Sequence, residues 1–336
     1  MPSIAVFGAG SIGCYLGGRL AAAGSRVVLI GRSYQAAHLT SLGLTLSDHE
    51  GYRGHLPPAQ VAFSTDPGAA AAADLVLITV KAGGTDAAAR ALEFFLKKTA
   101  VVVSFQNGLH NLPLLAQRLR EQTVLAGTVP FNVMQPAPGH FHQGSAGDLT
   151  VERSPLLTPF LPEFEAAGLP LELVDDIQPV QWARLLLNLN SAINGLSGLP
   201  LRRQLEQRPY RLVLAAAQRE ALALLRQRGQ RLARLTPLPA AWLPAMLELP
   251  DPLFRLLASR LLAIDPQARS ALQEDLDAGR KTEVDWLQGE VLRLAREQHR
   301  PAPVNARLLA LVHEAEQGGR RDWSGPELLN AVQDAG

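Results

Sequence analysis

The chain has 336 residues, 47% hydrophobic and 19% charged, which is room for two ordinary domains and excludes a disordered polymer. Thirty-two basic residues against thirty-one acidic ones leave a formal charge of +1, with no surplus to hold a nucleic-acid backbone or an anionic membrane. The single cysteine, Cys14, can close no internal disulfide and cannot be half of a zinc ribbon, and a reducing compartment, the cytoplasm, is expected.

The N-terminal stretch is apolar, but glycines interrupt it and no basic segment precedes it, so it does not read as a signal peptide. Four short runs, 4–7, 27–30, 75–80 and 100–103, are rich in Val, Ile and Leu and bounded by glycine or polar residues. Such runs suit strands covered on both faces of a parallel sheet. Residues 11–23, 85–95 and 112–120 have helix-forming composition, and 124–133 with 149–151 are expected to add closing strands. Strand and helix in alternation predict a doubly wound α/β domain. Beyond Asp176 the pattern changes. Residues 182–194, 208–228, 268–297 and 306–316 carry apolar positions three and four apart and predict long helices. Prolines at 237, 239, 244, 250 and 252 break the chain between them. The expected organisation is therefore an α/β domain over 1–176 and an all-α domain over 177–336. The longest uncharged stretch, between Arg184 and Arg202, holds three asparagines, two glycines and Pro200 and makes a poor membrane span.

Gly8-Ala9-Gly10-Ser11-Ile12-Gly13 is a G-x-G-x-x-G directly after the first strand and at the start of a helix. The first glycine allows the turn, the second lets backbone approach a pyrophosphate, and the third lets helix and strand pack closely. The helix N-terminus then offers N–H groups and partial positive charge to the phosphates. In that setting the motif predicts a Rossmann-type dinucleotide site. An NAD enzyme usually carries an acid at the end of the second strand for the ribose hydroxyls. Here that strand ends in Gly31-Arg32-Ser33, and no Asp or Glu precedes Asp48. Arg32 suits a 2′-phosphate instead, so the expected cofactor is NADP(H).

Four further segments follow in order. Thr79-Val80-Lys81-Ala82 ends a strand, Gln106-Asn107-Gly108-Leu109 follows the next one, Trp182-Ala183-Arg184-Leu185 leads to Asn188 and Asn194, and Gly279-Arg280-Lys281-Thr282-Glu283-Val284-Asp285 lies near the end. With them the chain resembles the ketopantoate reductase (2-dehydropantoate 2-reductase) family over nearly its whole length. The resemblance implies hydride transfer from NADPH to the ketone of ketopantoate, a small 2-oxo acid, held in a cleft between the domains. It further implies a helical domain serving substrate binding and dimerisation, with a homodimer as the assembly. On this reading Lys81 contacts cofactor or substrate, Asn107 the nicotinamide ribose or substrate, and Glu283 the hydroxyl end of the substrate. Asn188 and Asn194 join the substrate set. Ser270 sits in the family's paired-serine segment, although an ungapped count back from Glu283 puts the binding serine at Ala271.

One position departs from the pattern. The family's W-x-K lysine protonates the developing alkoxide; here Arg184 stands in its place, or Leu186 if Asn194 sets the register. The chain's lysines are 81, 97, 98 and 281, none of them on this helix, which leaves water beside Arg184, or Lys81 or Lys281 by a different approach, as alternative sources of the proton. An arginine holds its proton to pKa values above about 12, but it can bind a carboxylate and stabilise an oxyanion. With Arg184 and Glu283 as the expected catalytic residues, two other readings stay open: a reductase of another small 2-oxo or 3-hydroxy acid, and a non-catalytic NADP(H)-binding sensor. His140 and His142, at i, i+2 in a Pro/Gly-rich segment, lack a third ligand at a recognisable spacing and read as a solvated hairpin rather than a metal site. Cys14 is expected to pack under the phosphate loop.

Overall fold

A computed structural model describes residues 2–257 and 268–334, which fall into two compact units, Met1–Ile177 and Gln178–Gly336. The first unit runs β1 (Ser3–Phe7), α1 (Ser11–Ala22), β2 (Arg26–Ile30), α2 (Ser33–Leu42), β3 (Leu44–Asp48), β4 (Arg53–Leu56), β5 (Phe63–Ser64), β6 (Leu75–Ile78), α3 (Thr85–Leu92), β7 (Val101–Ser104), α4 (Asn111–Arg118), β8 (Thr123–Thr128), β9 (Val133–Ala137), β10 (His140–Gln143), β11 (Leu149–Glu152), α5 (Leu161–Ala166) and β12 (Leu171–Val174). The main sheet has the order β12-β11-β8-β7-β6-β1-β2-β5. It is parallel from β8 to β5, while β11 and β12, parallel to each other, run against β8.

The strands read as unbroken apolar runs because both faces of the sheet are covered. Ile4, Val6, Leu75, Leu77, Val101 and Val103 enter one core with Tyr15, Leu16 and Leu20 of α1. Their neighbours Ala5, Val76, Ile78 and Val102 enter a second core with Ala89 and Leu92 of α3 and Leu115 of α4. That division is the period-two geometry of a strand. A four-stranded sheet, β4-β3-β10-β9, adds Leu44, Leu46 and Phe141 to the α1 side. The apolar-run reading did not anticipate it. The only cue is Leu44 and Leu46 alternating with Thr45 and Ser47, too short to stand out, and β3 pairs in parallel with β10, which lies far along the chain.

The second unit comprises α6 (Gln178–Asn188), α7 (Asn190–Ser197), α8 (Leu201–Leu205), α9 (Arg208–Gln227), α10 (Leu243–Leu247), α11 (Asp251–Leu257), α12 (Ala271–Asp277), α13 (Gln288–Glu297), α14 (Pro303–Glu316) and α15 (Gly325–Gln333). Two expected helices are each divided. Residues 182–194 span α6 and α7, which break at Leu189; the Nε2 groups of buried Gln218 and Gln288 donate to the carbonyls of Leu186 (3.0 Å) and Leu189 (2.9 Å). Residues 268–297 span α12 and α13, because Gly279 adopts φ +62°, a left-handed helix end, and the next residues form a loop. The helix α15 was not expected. Among the described residues no helix is long and apolar enough to cross a membrane.

Candidate functional site

The three glycines of the N-terminal loop answer to different constraints. Gly8 sits at φ +114°, and a Cβ there would lie 2.5 Å from the Val80 nitrogen. A Cβ at Gly13 would lie 2.3 Å from the Gly8 oxygen. Both positions are required by the protein's own packing. A Cβ at Gly10, in contrast, would meet nothing nearer than the Gly8 oxygen at 4.0 Å. Gly10 is the N-cap of α1, and the first helical bond is from Cys14 N–H to the Gly10 oxygen, so the N–H groups of Ser11, Ile12 and Gly13 emerge at the helix start beside that open space. A cradle of backbone N–H groups, a helix N-terminus and room above glycine fits a pyrophosphate.

The end of β2 is tied to this loop. Gly8 and Ala9 N–H both donate to the Ile30 oxygen, at 2.9 and 3.0 Å, and Gly31 packs on Ala9. Arg32, the next residue, is exposed and caps α2. Its guanidinium makes no ion pair among the described residues, whereas most other arginines of the unit are paired. Thr79 closes the loop from the other side, its hydroxyl donating to the Gly8 oxygen at 2.9 Å. Lys81 and Asn107 are exposed residues just past the carboxyl ends of β6, which neighbours β1 in the sheet, and of β7, the next strand out. The loop, Arg32, Lys81 and Asn107 thus gather along one carboxyl edge, where ligands of such sheets bind.

In the helical unit Arg184 and Asn188 lie one turn apart on α6 and share a face, whereas Leu186 is 1% exposed in the core. The Arg184 Nε is shut off from solvent, and burial pushes the guanidinium pKa down to about 10. Two residues of the expected substrate set are buried and engaged by the framework. Asn194 is fully buried: its Nδ2 donates to the Leu199 oxygen (2.8 Å) and its Oδ1 accepts from Ser270 N–H (2.9 Å). Ser270, also buried, caps α12 by accepting from Gln273 N–H. Glu283 is half-buried in the loop before α13. Its neighbour Arg280 pairs with Asp275 at 3.1 Å, and Glu316 accepts from both the N–H and the hydroxyl of Thr282, at 2.8 and 2.7 Å, fixing the residue next to Glu283. Glu316 carried no sequence signal, because it meets Thr282 only through the fold.

Cys14 is buried, its thiol within reach of the Ala9 oxygen, and burial pushes its pKa up to about 12, so it packs beneath the loop as an inert group. His140 and His142 flank the Ser47 hydroxyl, each with a ring nitrogen 2.8 Å away. Among the described residues no three His, Cys, Asp or Glu side chains converge to hold a metal ion.

Two family descriptions match the chain: ketopantoate reductase PanE/ApbA over residues 4–155, and the C-terminal region of the same family over residues 176–316. The 2-dehydropantoate 2-reductase of Halobacterium salinarum is 29% identical, with 94% of this chain and 99% of that protein covered. The crystal structure of a PanE/ApbA family ketopantoate reductase from Ralstonia eutropha JMP134 is 32% identical, covering 94% of this chain and 99% of that one, with a TM-score of 0.81. D-mandelate dehydrogenase, solved with NADH and anilino(oxo)acetate, is 17% identical with 94% and 99% covered and a TM-score of 0.75, a likeness of fold.

Proposed function

Since the chain belongs to the ketopantoate reductase family, and is thus an oxidoreductase of a C=O/CH–OH pair, we propose that it reduces 2-dehydropantoate to pantoate with NADPH, a step toward pantothenate and coenzyme A. The cofactor choice rests on one pairing: the open, N–H-lined space at Gly10, and beside it an exposed Arg32 with no acidic residue before Asp48. Gly8 to Gly13 would hold the pyrophosphate, and Arg32 would hold the 2′-phosphate by a charge-assisted contact that a carboxylate would oppose. Lys81 and Asn107 would take the nicotinamide end, where Asn107 can donate to a carbonyl and accept from a hydroxyl. NADPH, when bound, supplies the hydride.

The remaining work falls to side chains of the helical unit. Glu283 accepts from the substrate hydroxyl. Asn188 binds substrate beside Arg184. Arg184 is charged at neutral pH, attracts the substrate carboxylate, and stabilises the alkoxide as the ketone is reduced. Burial lowers its pKa to about 10, which still leaves it charged at neutral pH, and water beside it supplies the proton to that alkoxide. Asn194 and Ser270 hold α7 and α12 in place.

The test is NADPH oxidation with a panel of 2-oxo acids, beside the dissociation constants of NADPH and NADH. Ketopantoate should have the highest kcat/KM and NADPH the tighter binding. A better substrate among the other acids would move the assignment to that acid, a reading that the arginine at position 184 keeps alive. Tight NADPH binding without turnover of any acid would favour a sensor.

A further inference from the structure

A chain of buried polar side chains lies under the two loops that carry Lys81 and Asn107, and neither the cofactor nor the substrate reading uses it. Its members are Ser104, Gln106, Thr85 and Asn111, all at most 8% exposed. The Ser104 hydroxyl donates to Gln106 Oε1 at 2.9 Å. Gln106 Nε2 donates in two directions, to the backbone oxygen of Val80 at 2.9 Å and to the Thr85 hydroxyl at 2.8 Å. The Thr85 hydroxyl has one proton to give, with the Ala82 oxygen at 2.7 Å and Asn111 Oδ1 at 2.8 Å to receive it. Asn111 Nδ2 then donates to the backbone oxygen of Asn107 at 2.5 Å.

Both hydrogens and the oxygen of the Gln106 amide are engaged. The ends of the chain are main-chain atoms, one in the residue before Lys81 and the other in Asn107 itself. Burying this many polar groups is costly unless each finds a partner, and an apolar filling would cost less. What the polar chain provides is a fixed distance between the turn after β6 and the turn after β7. Gly108, at φ +88°, leaves the second turn with no side chain of its own to hold it at that point.

We propose that Gln106 is a positioning residue, which sets the Lys81 and Asn107 loops in register with each other for the nicotinamide end of the cofactor. It acts through the backbone at Val80 and Asn107 and touches neither ligand. The inference rests on the cofactor reading above.

The test is Gln106→Met, which keeps the length and removes every hydrogen bond, together with Thr85→Val, which cuts the same chain one link further on and nearly keeps the shape. Each is measured for thermal midpoint, NADPH dissociation constant and kcat/KM, alone and combined with Asn107→Ala. A misplaced cofactor end should lower kcat/KM by about tenfold to a hundredfold, since small displacements of reacting groups carry penalties of that order. The losses should be non-additive: in the Asn107→Ala background Gln106→Met should add little, because the group it positions is gone. A lower thermal midpoint with unchanged NADPH binding and unchanged kcat/KM in both variants would overturn the proposal, as would full additivity with Asn107→Ala. A parent protein that does not bind NADPH would overturn the cofactor reading instead, and that failure is seen without any variant.

Discussion

Gly8 and Gly13 are held to glycine by neighbouring protein atoms, and Gly10 is not, so substitutions at the three should behave differently. Gly10→Val is expected to abolish NADPH binding while its thermal midpoint stays within a few degrees of the parent. Gly13→Ala should lower both, since its Cβ would collide with the Gly8 oxygen. Calorimetric titration with NADPH beside a melting curve reads the two apart, and unchanged affinity in Gly10→Val would remove the loop from the site. Arg184 makes the second residue-scale case. Its proton leaves as pH rises through about 10, so kcat/KM should fall above that pH. A lysine begins about two pKa units lower and falls further with burial, so Arg184→Lys should shift that limb to lower pH. It should also raise kcat by up to roughly tenfold at neutral pH, within the range of general-acid effects. Arg184→Ala should lose both kcat and substrate affinity; a full pH–rate profile of the three proteins decides, and an active Arg184→Ala would place Arg184 outside the chemistry.

Whole elements of the helical unit hang on single charged side chains. Arg211 of α9 has no exposed surface, yet its guanidinium donates to the carbonyls of Leu205, Leu247 and Leu249 and to Asp251, and lies 4.0 Å over the ring of Phe254. It thereby holds the proline-broken segment around α10 and α11 against α9. Arg211→Leu leaves those carbonyls without a donor and should cost about 3–5 kcal/mol, as breaking a buried charged network does. A urea midpoint close to the parent's would refute the clamp. At α15, Glu327 completes a capping box with Ser324 and pairs with Arg320, and these contacts draw its pKa down to about 2. A depressed carboxylate stabilises the fold above its unfolded pKa and loses that contribution as pH falls through the folded value. The stability gap between the parent and Glu327→Gln should therefore be full at pH 7 and close between about pH 4.5 and about pH 2. Urea midpoints across that range measure it; a gap constant with pH would mean that the carboxylate charge is irrelevant to the cap.

For the molecule as a whole, binding energy appears as stability. A cofactor at a hundredfold excess over its dissociation constant adds about 2.7 kcal/mol. NADPH should raise the melting midpoint more than NADH at equal concentration, and Arg32→Ala should erase that difference while keeping the NADH shift. Equal shifts in the parent would reject Arg32 as the 2′-phosphate group.

The α/β half was legible in the residues because its signals are local. Strands buried on both faces appear as continuous Val/Ile/Leu runs, and the glycine-rich loop proposed for the cofactor is six consecutive residues whose spacing carries the prediction. The absence of an acid before Asp48 is likewise read along the chain. The helical half was legible in kind but not in its breaks, since Gln218 and Gln288, remote in sequence, take the carbonyls where α6 gives way to α7. The same holds for the site residues. Asn194 and Ser270 match a motif, but each is buried and bonded to the other across 76 residues. Arg184 and Leu186 competed for one position in the sequence, and packing alone separated them, placing Leu186 in the core and Arg184 on the face with Asn188. Burial also shifted the Arg184 pKa, and burial belongs to the folded surface, to which residues distant in the chain contribute; no spacing along the sequence encodes it.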